Sequence, residues 1–220
     1  MRQPILNINK PQPPLVIEKM LPHLVWRLPQ EKKTVYITFD DGPVPYYTEK
    51  VMDCLDSYNI TGTFFCVGEN IERHPDLFTY VQEKGHSVGS HTYNHLNSWK
   101  CSNNEYIANV HKGADKVNSR LFRPPHGKIR FKQAKELIQQ YDIIMWDIIS
   151  KDYDKNLTGA DCFENVQNYV QNGSIIVFHD SQKAFKNCMY ALPKTIDYLL
   201  EHNYAIESIP LHIPINQSAV

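Results

Sequence analysis

Residues 34–43 read TVYITFDDGP, a run of β-branched and aromatic residues that ends in two adjacent aspartates and a Gly-Pro pair. This composition predicts a buried strand, and the Gly-Pro pair predicts a turn directly after it. Successive side chains of a strand point to opposite faces, so Asp40 and Asp41 can serve one site only where the strand breaks into the turn. Two like charges this close repel each other unless a cation shares the site. The stretch therefore indicates that one carboxylate binds a metal while the other handles a proton, with a solvated Asp-Gly turn as the alternative.

A second motif, HTYNH, lies at residues 91–95. In a helical turn, positions i and i+4 share a face, so His91 and His95 can reach one ion at Zn–N distances of about 2.0–2.1 Å. Two histidines and one aspartate form a three-ligand set that leaves a coordination position free, as a catalytic metal requires. Incidental surface or packing histidines are the alternative. His86, which precedes an apolar step to Val88, is better explained as a structural histidine.

Two further motifs combine a rigid turn with a strand end. The sequence RPPHG at residues 123–127 predicts a rigid turn, because proline fixes φ and restricts the residue before it. Such a turn can hold Arg123 and present the backbone N–H that follows the prolines. The sequence IIVF at residues 175–178 predicts a buried strand that places His179 at its end, where an imidazole can titrate near neutral pH.

Strand and helix patterns alternate from residue 34 onward. Helices are predicted at residues 47–58, 75–84, 103–118, 131–140, 160–171 and 186–202, and strands at 34–39, 61–67, 87–89, 120–123, 142–146 and 174–178. Alternating β and α elements predict a parallel sheet covered by helices, and active sites of parallel barrels gather at the C-terminal strand ends, where the candidate residues fall. With six or seven βα units, we expect an α/β fold, a distorted or incomplete (β/α) barrel of about seven parallel strands.

Length and composition indicate one catalytic domain with an arm. The chain has 220 residues, of which 42% are hydrophobic, and this is sufficient for one well-packed domain. We expect residues 1–33, which hold six of the fourteen prolines, to form an irregular N-terminal arm. Within it, residues 20–28 are apolar enough to pack on the barrel as a short helix or loop. Residues 34–220 are expected to form the catalytic domain.

Charge and cysteine content bear on partners and location. The formal charge of −1 gives no basic footprint, so we expect no nucleic-acid partner. No apolar run of 18 residues is present, so we expect no integral membrane segment. The first residues lack the pattern of a secretory signal, and the five cysteines are scattered and odd in number. These features predict a cytoplasmic protein with reduced cysteines, and they leave the oligomeric state open.

The order of the motifs TFDDGP, HTYNH, RPPHG, the stretch at 146–153 and IVFHD resembles that of the polysaccharide deacetylases of carbohydrate esterase family four, the NodB homology domain. The likeness covers roughly residues 34–209. It implies a metal-dependent hydrolase that removes an N-acetyl or O-acetyl group from a carbohydrate. It also implies that Asp41, His91 and His95 ligate a divalent metal, with zinc as the first choice and cobalt or another divalent metal as alternatives.

The same resemblance implies a division of catalytic roles. Asp40 is the general base, and Arg123 pairs with Asp40 and keeps it ionised. The backbone N–H of His126 stabilises the oxyanion. His179 is the general acid that protonates the departing amine.

Two aspartates compete for the role of partner to His179. Asp147 and Asp152 both lie in the fourth motif, and the family spacing favours Asp152. A carboxylate beside His179 raises the pKa of the imidazole and keeps it protonated.

Three positions depart from the family pattern. His126 stands where a tyrosine is usual, Tyr153 where a tryptophan is usual, and Val177 where a leucine is usual. Tyr153 and Val177, with Pro125, are expected to line the pocket for the acetyl methyl group. The backbone role of His126 does not depend on its side chain, so we expect catalysis to survive this change.

Two other functions are compatible with the same fold. One is a metal-independent hydrolase of cyclic amides or imides, and the other is a non-catalytic carbohydrate-binding protein. The presence of the complete set Asp41, His91 and His95 argues against the first function. The presence of Asp40 and His179 argues against the second.

Overall fold

A curled parallel sheet forms the centre of the protein in a computed structural model that describes residues 11–211 and 213. Its strands are β1 (Thr34–Asp40), β2 (Thr63–Cys66), β3 (Ser87–Ser90), β4 (Leu121–Phe122), β5 (Asp142–Ile143), β6 (Ile148–Ile149), β7 (Ile175–His179) and β8 (Ala205–Glu207). Seven strands follow the spatial order β5-β4-β3-β2-β1-β7-β6, and β8 pairs with the first residues of β1. This arrangement confirms the predicted distorted (β/α) barrel of about seven parallel strands.

Helices alternate with the strands along the chain. They are α1 (Leu15–Met20), α2 (Tyr47–Ser57), α3 (Gly68–Arg73), α4 (Pro75–Glu83), α5 (Asn103–Val117), α6 (Phe131–Leu137), α7 (Gly159–Gln167) and α8 (Phe185–Glu201). The six predicted helices are confirmed within a few residues. The sequence patterns missed α1, α3, β6 and β8, because elements this short do not display a full period. The strand predicted at 142–146 is too long, since β5 ends at Ile143.

Strand β1 is buried on both faces, and this explains its unbroken run of β-forming residues. The odd-numbered residues from Val35 to Phe39 pack in the large core beneath the helices. Tyr36 packs in a separate core cluster inside the barrel. Because side chains alternate along a strand, Thr38 and Asp40 share the inner face with Tyr36. The strand that builds the outer core therefore also delivers a carboxylate to the interior.

His86 has the structural role predicted for it. Its side chain is buried, and Nδ1 accepts the N–H of Gly62 at 3.2 Å. The ring packs against Phe64 with the centroids 5.0 Å apart. Burial lowers the pKa of His86, so the imidazole is neutral at pH 7.

Part of the N-terminal arm connects the β5 edge of the sheet with the chain just before β7. Val25 exchanges backbone hydrogen bonds of 2.9 and 2.7 Å with residues 143–145 at the β5 edge. The N–H of Leu28 donates to the carbonyl of Gly173 at 2.8 Å, just before β7. The segment 20–28 thus packs on the barrel as predicted, mostly in an extended form, while residues 1–10 lie outside the described part.

Trp26 anchors this arm. Its side chain is 8% exposed and packs in a core cluster with residues of α5 and α6. Its Nε1–H donates to the carbonyl of Leu21 at 3.1 Å. We predict that Trp26→Ala lowers the free energy of unfolding by about 3–5 kcal/mol, because it leaves a large cavity in this core. Denaturant-induced unfolding measures the loss.

Trp99 supplies the matched control, since its side chain is 47% exposed. Trp99→Ala should change the free energy of unfolding by less than about 1 kcal/mol. If Trp26→Ala lowered the free energy of unfolding as little as Trp99→Ala, the arm would contribute little to stability.

Candidate metal centre and catalytic site

The candidate residues meet at the carboxyl ends of neighbouring strands. Asp40 and His179 are the last residues of β1 and β7, and the register of these strands pairs them directly. His91 follows β3, and Arg123 follows β4. Parallel strands end on the same side of a sheet, so the topology alone brings these side chains to one region.

Asp41, His91 and His95 form the candidate metal centre. One potential ligand atom from each residue lies within 4.8 Å of the other two. Nε2 of His95 is 3.3 Å from Oδ1 of Asp41. Two imidazole nitrogens and a carboxylate oxygen this close together would be able to hold one cation. The structure thus brings together the three residues predicted as ligands.

The protonation states of this set suit a cation. Burial lowers the pKa of His91 to about 4, and its Nδ1 lies 2.8 Å from the carbonyl oxygen of Arg123. Nδ1 therefore carries the proton and donates it, which leaves the Nε2 lone pair for a metal. Burial acts to raise the pKa of Asp41, but the hydrogen bond with His95 and the charge of His179 hold it below its ordinary value. Neutral imidazole and ionised carboxylate are the forms that bind metals.

The loop that carries the two histidines differs from the expected helical turn. Residues 92–94 form a turn, and Thr92 and His95 have φ angles of 66° and 56°, in the left-handed region. A β-branched residue such as threonine rarely adopts this conformation. The Oγ1 of Thr92 accepts the N–H of Leu96 at 3.0 Å and holds the turn. The imidazoles therefore approach each other through a tight, strained loop instead of along one helical face.

Arg123 is fully buried and organises the floor of the site. Its Nη1 donates to Oδ1 of Asp40 and to Oγ1 of Thr38, each at 2.7 Å. Its Nε and Nη2 donate to the carbonyls of residues 144–145 at 3.2 and 3.0 Å. The guanidinium also lies 4.0 Å from the ring centroid of Phe65. This pairing allows the charge of Asp40 to be buried, because its partner is itself held by four hydrogen bonds.

His179 pairs with Asp152. Nδ1 of His179 is 2.7 Å from Oδ1 of Asp152, and the backbone N–H of His179 donates to Oδ2 at 2.8 Å. Burial lowers the pKa of His179, but the Asp152 carboxylate outweighs burial and raises it to about 9. The imidazole is therefore protonated at pH 7.

Asp147 lies beside the first residues of β7, at the end of the strand opposite His179. Its carboxylate accepts the hydroxyl of Ser174 at 2.8 Å and the N–H of Ile175 at 2.9 Å. Ile175 begins β7 and His179 ends it, a separation of about 13 Å along the strand. The structure therefore places Asp152, and not Asp147, beside His179.

His126 lies next to the metal centre. It occupies the middle of the 3-10 turn Pro125–Gly127 with a left-handed φ of 59°. Its ring meets the ring of His95 edge-on, with the centroids 4.6 Å apart. Burial, together with the charges of His95 and Lys128, lowers the pKa of His126, so its side chain is neutral at pH 7.

The residues expected to line an acetyl pocket have different surroundings. The ring of Tyr153 stands edge-on to His179 at 5.0 Å. Val177 is buried on β7 opposite Thr38, two residues before His179. Pro125 is buried in the turn before His126. Their joint role in binding the acetyl methyl group stays a prediction.

Asp180 is a buried residue that the motifs did not single out as functional. Its Oδ2 accepts the hydroxyl of Thr48 at 2.6 Å, and its carboxyl group also accepts the backbone N–H of Gly42. A Cβ at Gly42 would collide with this carboxylate, so glycine is required there. The backbone N–H of Asp180 donates to the carbonyl of Asp40 at 3.2 Å. Asp180 therefore fixes the loop after β1, and its place directly after His179 is the only sequence signal for it.

A cavity of about 340 Å³ opens beside Asp41 and His95. Its other lining residues are Val44, Val67, Glu69, Asn70, Asn94 and Ser181. Amide, hydroxyl and carboxylate groups are suited to hydrogen-bond sugar hydroxyls, and this volume is at the small end of ligand pockets. The metal centre is therefore accessible to a small polar ligand.

Known proteins share this sequence and fold. Residues 27–145 match the family described as polysaccharide deacetylase. A peptidoglycan-N-acetylglucosamine deacetylase of Bacillus cereus is 32% identical over 196 residues, which cover 85% of this chain and 91% of that protein. The crystal structure of the Bc1960 peptidoglycan N-acetylglucosamine deacetylase, in complex with 4-naphthalen-1-yl-N-oxidanyl-benzamide, has a TM-score of 0.81 and 30% identity and covers 86% of this chain and 91% of that one.

The fold also occurs in a protein described as inactive. BA3943 of Bacillus anthracis, a CE4 family pseudoenzyme, has a TM-score of 0.73 at 23% identity, over 84% of this chain and 66% of that one. This likeness concerns the fold alone. The match over residues 27–145 and the 32% identity to the Bacillus cereus protein decide the membership. The chain belongs to the polysaccharide deacetylase family.

Proposed function

We propose that this protein is a metal-dependent hydrolase that removes an acetyl group from an N-acetylated carbohydrate, with O-acetyl groups as the alternative. One observation carries the proposal. The potential ligand set Asp41, His91 and His95 adjoins both a buried carboxylate paired with arginine and an imidazole that is protonated at pH 7. A hydrolase needs these two proton carriers on either side of the bond that breaks.

The donor set favours zinc. Two imidazole nitrogens and one carboxylate oxygen suit a borderline cation such as zinc or cobalt better than a hard cation such as magnesium or calcium. A bound cation of this kind would polarise the acetyl carbonyl and lower the pKa of water. Asp41, His91 and His95 would hold it.

Asp40 accepts the proton of the attacking water in this proposal. Its Oδ1 is engaged by Arg123, while Oδ2 lies 3.9 Å from Nε2 of His91 and therefore faces the metal centre. The ion pair with Arg123 fixes Oδ1, so Oδ2 is the oxygen available to accept a proton. Thr38 shares the same guanidinium nitrogen and limits its movement.

His179 donates a proton to the departing amine. Its Nδ1 is engaged by Asp152, so the proton on Nε2 is the one available for transfer. The ring edge of Tyr153 restricts the orientation of the imidazole. The backbone N–H of His126, next to His95, is assigned to the oxyanion.

The helices and the cysteines bear on the location of the protein and on its partners. No helix within residues 11–211 combines the length and the apolarity that a membrane crossing requires. All five cysteines are unpaired. The cytoplasmic location and the lack of a nucleic-acid partner stay predictions, and a peptidoglycan substrate would require contact with the cell wall.

Metal dependence gives the first test of this function. Chelation should abolish release of free amine from N-acetylated sugars, and zinc or cobalt should restore it. His91→Ala should lose both bound zinc and turnover, because it removes a buried ligand. Asp40→Asn is the matched variant, and it should retain zinc while turnover falls by about 10²–10⁴. Metal analysis of the purified variants, together with amine release, separates the two effects.

Each contrary result identifies a different error. Full turnover without metal would favour the metal-independent amide hydrolase. Zinc and sugar binding without turnover would favour the non-catalytic carbohydrate-binding protein. Loss of zinc from Asp40→Asn would mean that the roles of Asp40 and Asp41 are reversed.

The pair His179–Asp152 predicts a specific pH dependence. A general acid must be protonated, so turnover should fall as the pH rises through the pKa of His179, near pH 9. Asp152→Asn removes the charge that raises this pKa. The fall in turnover should therefore move to lower pH, while Asp41 and Asp40 still oppose the effect of burial. The pH profile of kcat measures the shift.

Asp147→Asn is the control for this shift, because Asp147 bonds Ser174 and Ile175 at the far end of β7. In this variant, kcat should fall at the same high pH as in the unmodified protein. If the pH at which kcat falls shifted equally in both variants, or in neither, His179 would not be the general acid.

His126 tests whether the backbone or the side chain acts at this position. His126→Ala and His126→Tyr should both retain zinc and keep kcat within about tenfold, with the main effect on KM, since uniform binding alters KM alone. The turn of Pro125–Gly127 holds the backbone in all three proteins. A hundredfold loss of kcat, or loss of zinc, in His126→Ala would instead make the imidazole a second acid or a ligand.

A further inference from the structure

Trp99 is an exposed aromatic residue that the proposed mechanism does not use. Its side chain is 47% exposed on the 3-10 turn Ser98–Lys100, which directly follows the loop of the metal centre. The turn is held in place, because the N–H of Trp99 donates to Oδ1 of Asn97 at 3.0 Å. A flat aromatic face of this kind beside a sugar site offers a stacking surface for a second sugar ring.

Two lysines accompany this ring. Nζ of Lys128 lies 4.8 Å from the ring centroid of Trp99, and Lys100 is the next residue in the chain. Neither lysine has an ion-pair partner among residues 11–211 and 213. Three other lysines, Lys50, Lys84 and Lys116, are instead paired with carboxylates. The ammonium group of Lys128 over the indole, and that of Lys100 beside it in the chain, retain their N–H donors for an external anion.

His126 connects these lysines to the metal centre. Its ring is 4.6 Å from that of His95, and it precedes Lys128 by two residues. The positive charges of both Lys100 and Lys128 act on His126. Lys128 and its partner Trp99 therefore lie along the rim next to the point where the acetyl group would react.

We propose that Trp99, Lys100 and Lys128 form a subsite for a carboxylate-bearing sugar next to the sugar that loses its acetyl group. The inference rests on the proposed function for the position of the reacting sugar. A ring stacked on Trp99 places a carboxylate substituent near the two ammonium groups. A glycan with free carboxylates, such as one that contains N-acetylmuramic acid, carries this substituent, whereas an oligomer of N-acetylglucosamine alone does not.

Binding of two tetrasaccharides tests the subsite. One alternates N-acetylglucosamine with N-acetylmuramic acid, and the other contains N-acetylglucosamine only; calorimetry measures both on the full chain. The double variant Lys100→Gln/Lys128→Gln should weaken binding of the charged tetrasaccharide about tenfold and leave the neutral one within twofold, with a smaller difference at high salt. Trp99→Ala should weaken binding of both. Lys194→Gln is the control, because Lys194 lies over the ring of Tyr190 at 5.2 Å on α8, away from these residues in the fold, and should change neither.

The outcomes separate the subsite from the proposed function. Equal affinity of the unmodified protein for both glycans, no binding of either, or equal weakening of both in the double variant would overturn the subsite. Amine release from the same tetrasaccharides tests the function independently. Charge-dependent binding without amine release would support the subsite and overturn the deacetylase, whereas amine release with an unchanged affinity ratio would overturn the subsite alone.

Discussion

The buried ion pair of Arg123 and Asp40 is the constraint on which the rest of the site depends. A charge taken out of water is tolerated only when its partner and its hydrogen bonds are complete. Arg123 meets this condition through Asp40, Thr38 and the carbonyls of residues 144–145. These groups come from β1 and from the chain after β5, so the ends of three strands must meet at one point. The short strands of this barrel are therefore held in register partly by the buried polar groups that surround Arg123.

Asp152 and Asp180 add further buried hydrogen bonds near the end of β7. Asp152 accepts both the ring and the backbone N–H of His179, while Asp180 accepts the hydroxyl of Thr48 and fixes Gly42. The backbone of Asp41, with its φ of 86°, is strained for a residue other than glycine. Such a conformation persists only where the surroundings determine it. The buried side chain of Asp180 thus holds the loop after β1 in this conformation.

Sequence patterns located most of the fold and the candidate site, but they failed where tertiary contacts decide the conformation. The DDG turn and the ends of β3, β4 and β7 follow from local composition. The strand β6 is two residues long, too short for a period, and only the hydrogen bonds of its neighbours define it, while β4 and β5 are shorter than predicted. The loop at 92–95 is set by α3, whose first N–H groups bond the carbonyls of Thr92 and Tyr93 at 3.0 and 2.7 Å. A domain boundary at residue 34 stays a prediction, since residues 25–28 already pair with the sheet.

The different surroundings of two adjacent aspartates follow from one change in backbone conformation. The pleat of β1 turns the side chain of Asp40 to the inner face of the sheet, where it contacts Arg123. If the strand continued, the side chain of Asp41 would point towards the helices. The left-handed φ of Asp41 breaks the alternation and brings its carboxylate to the same side, near His95. One carboxylate thereby lies beside a fixed cation and the other beside imidazoles that leave room for a metal. Neighbouring residues of one chemical type acquire different chemistry because the strand ends between them.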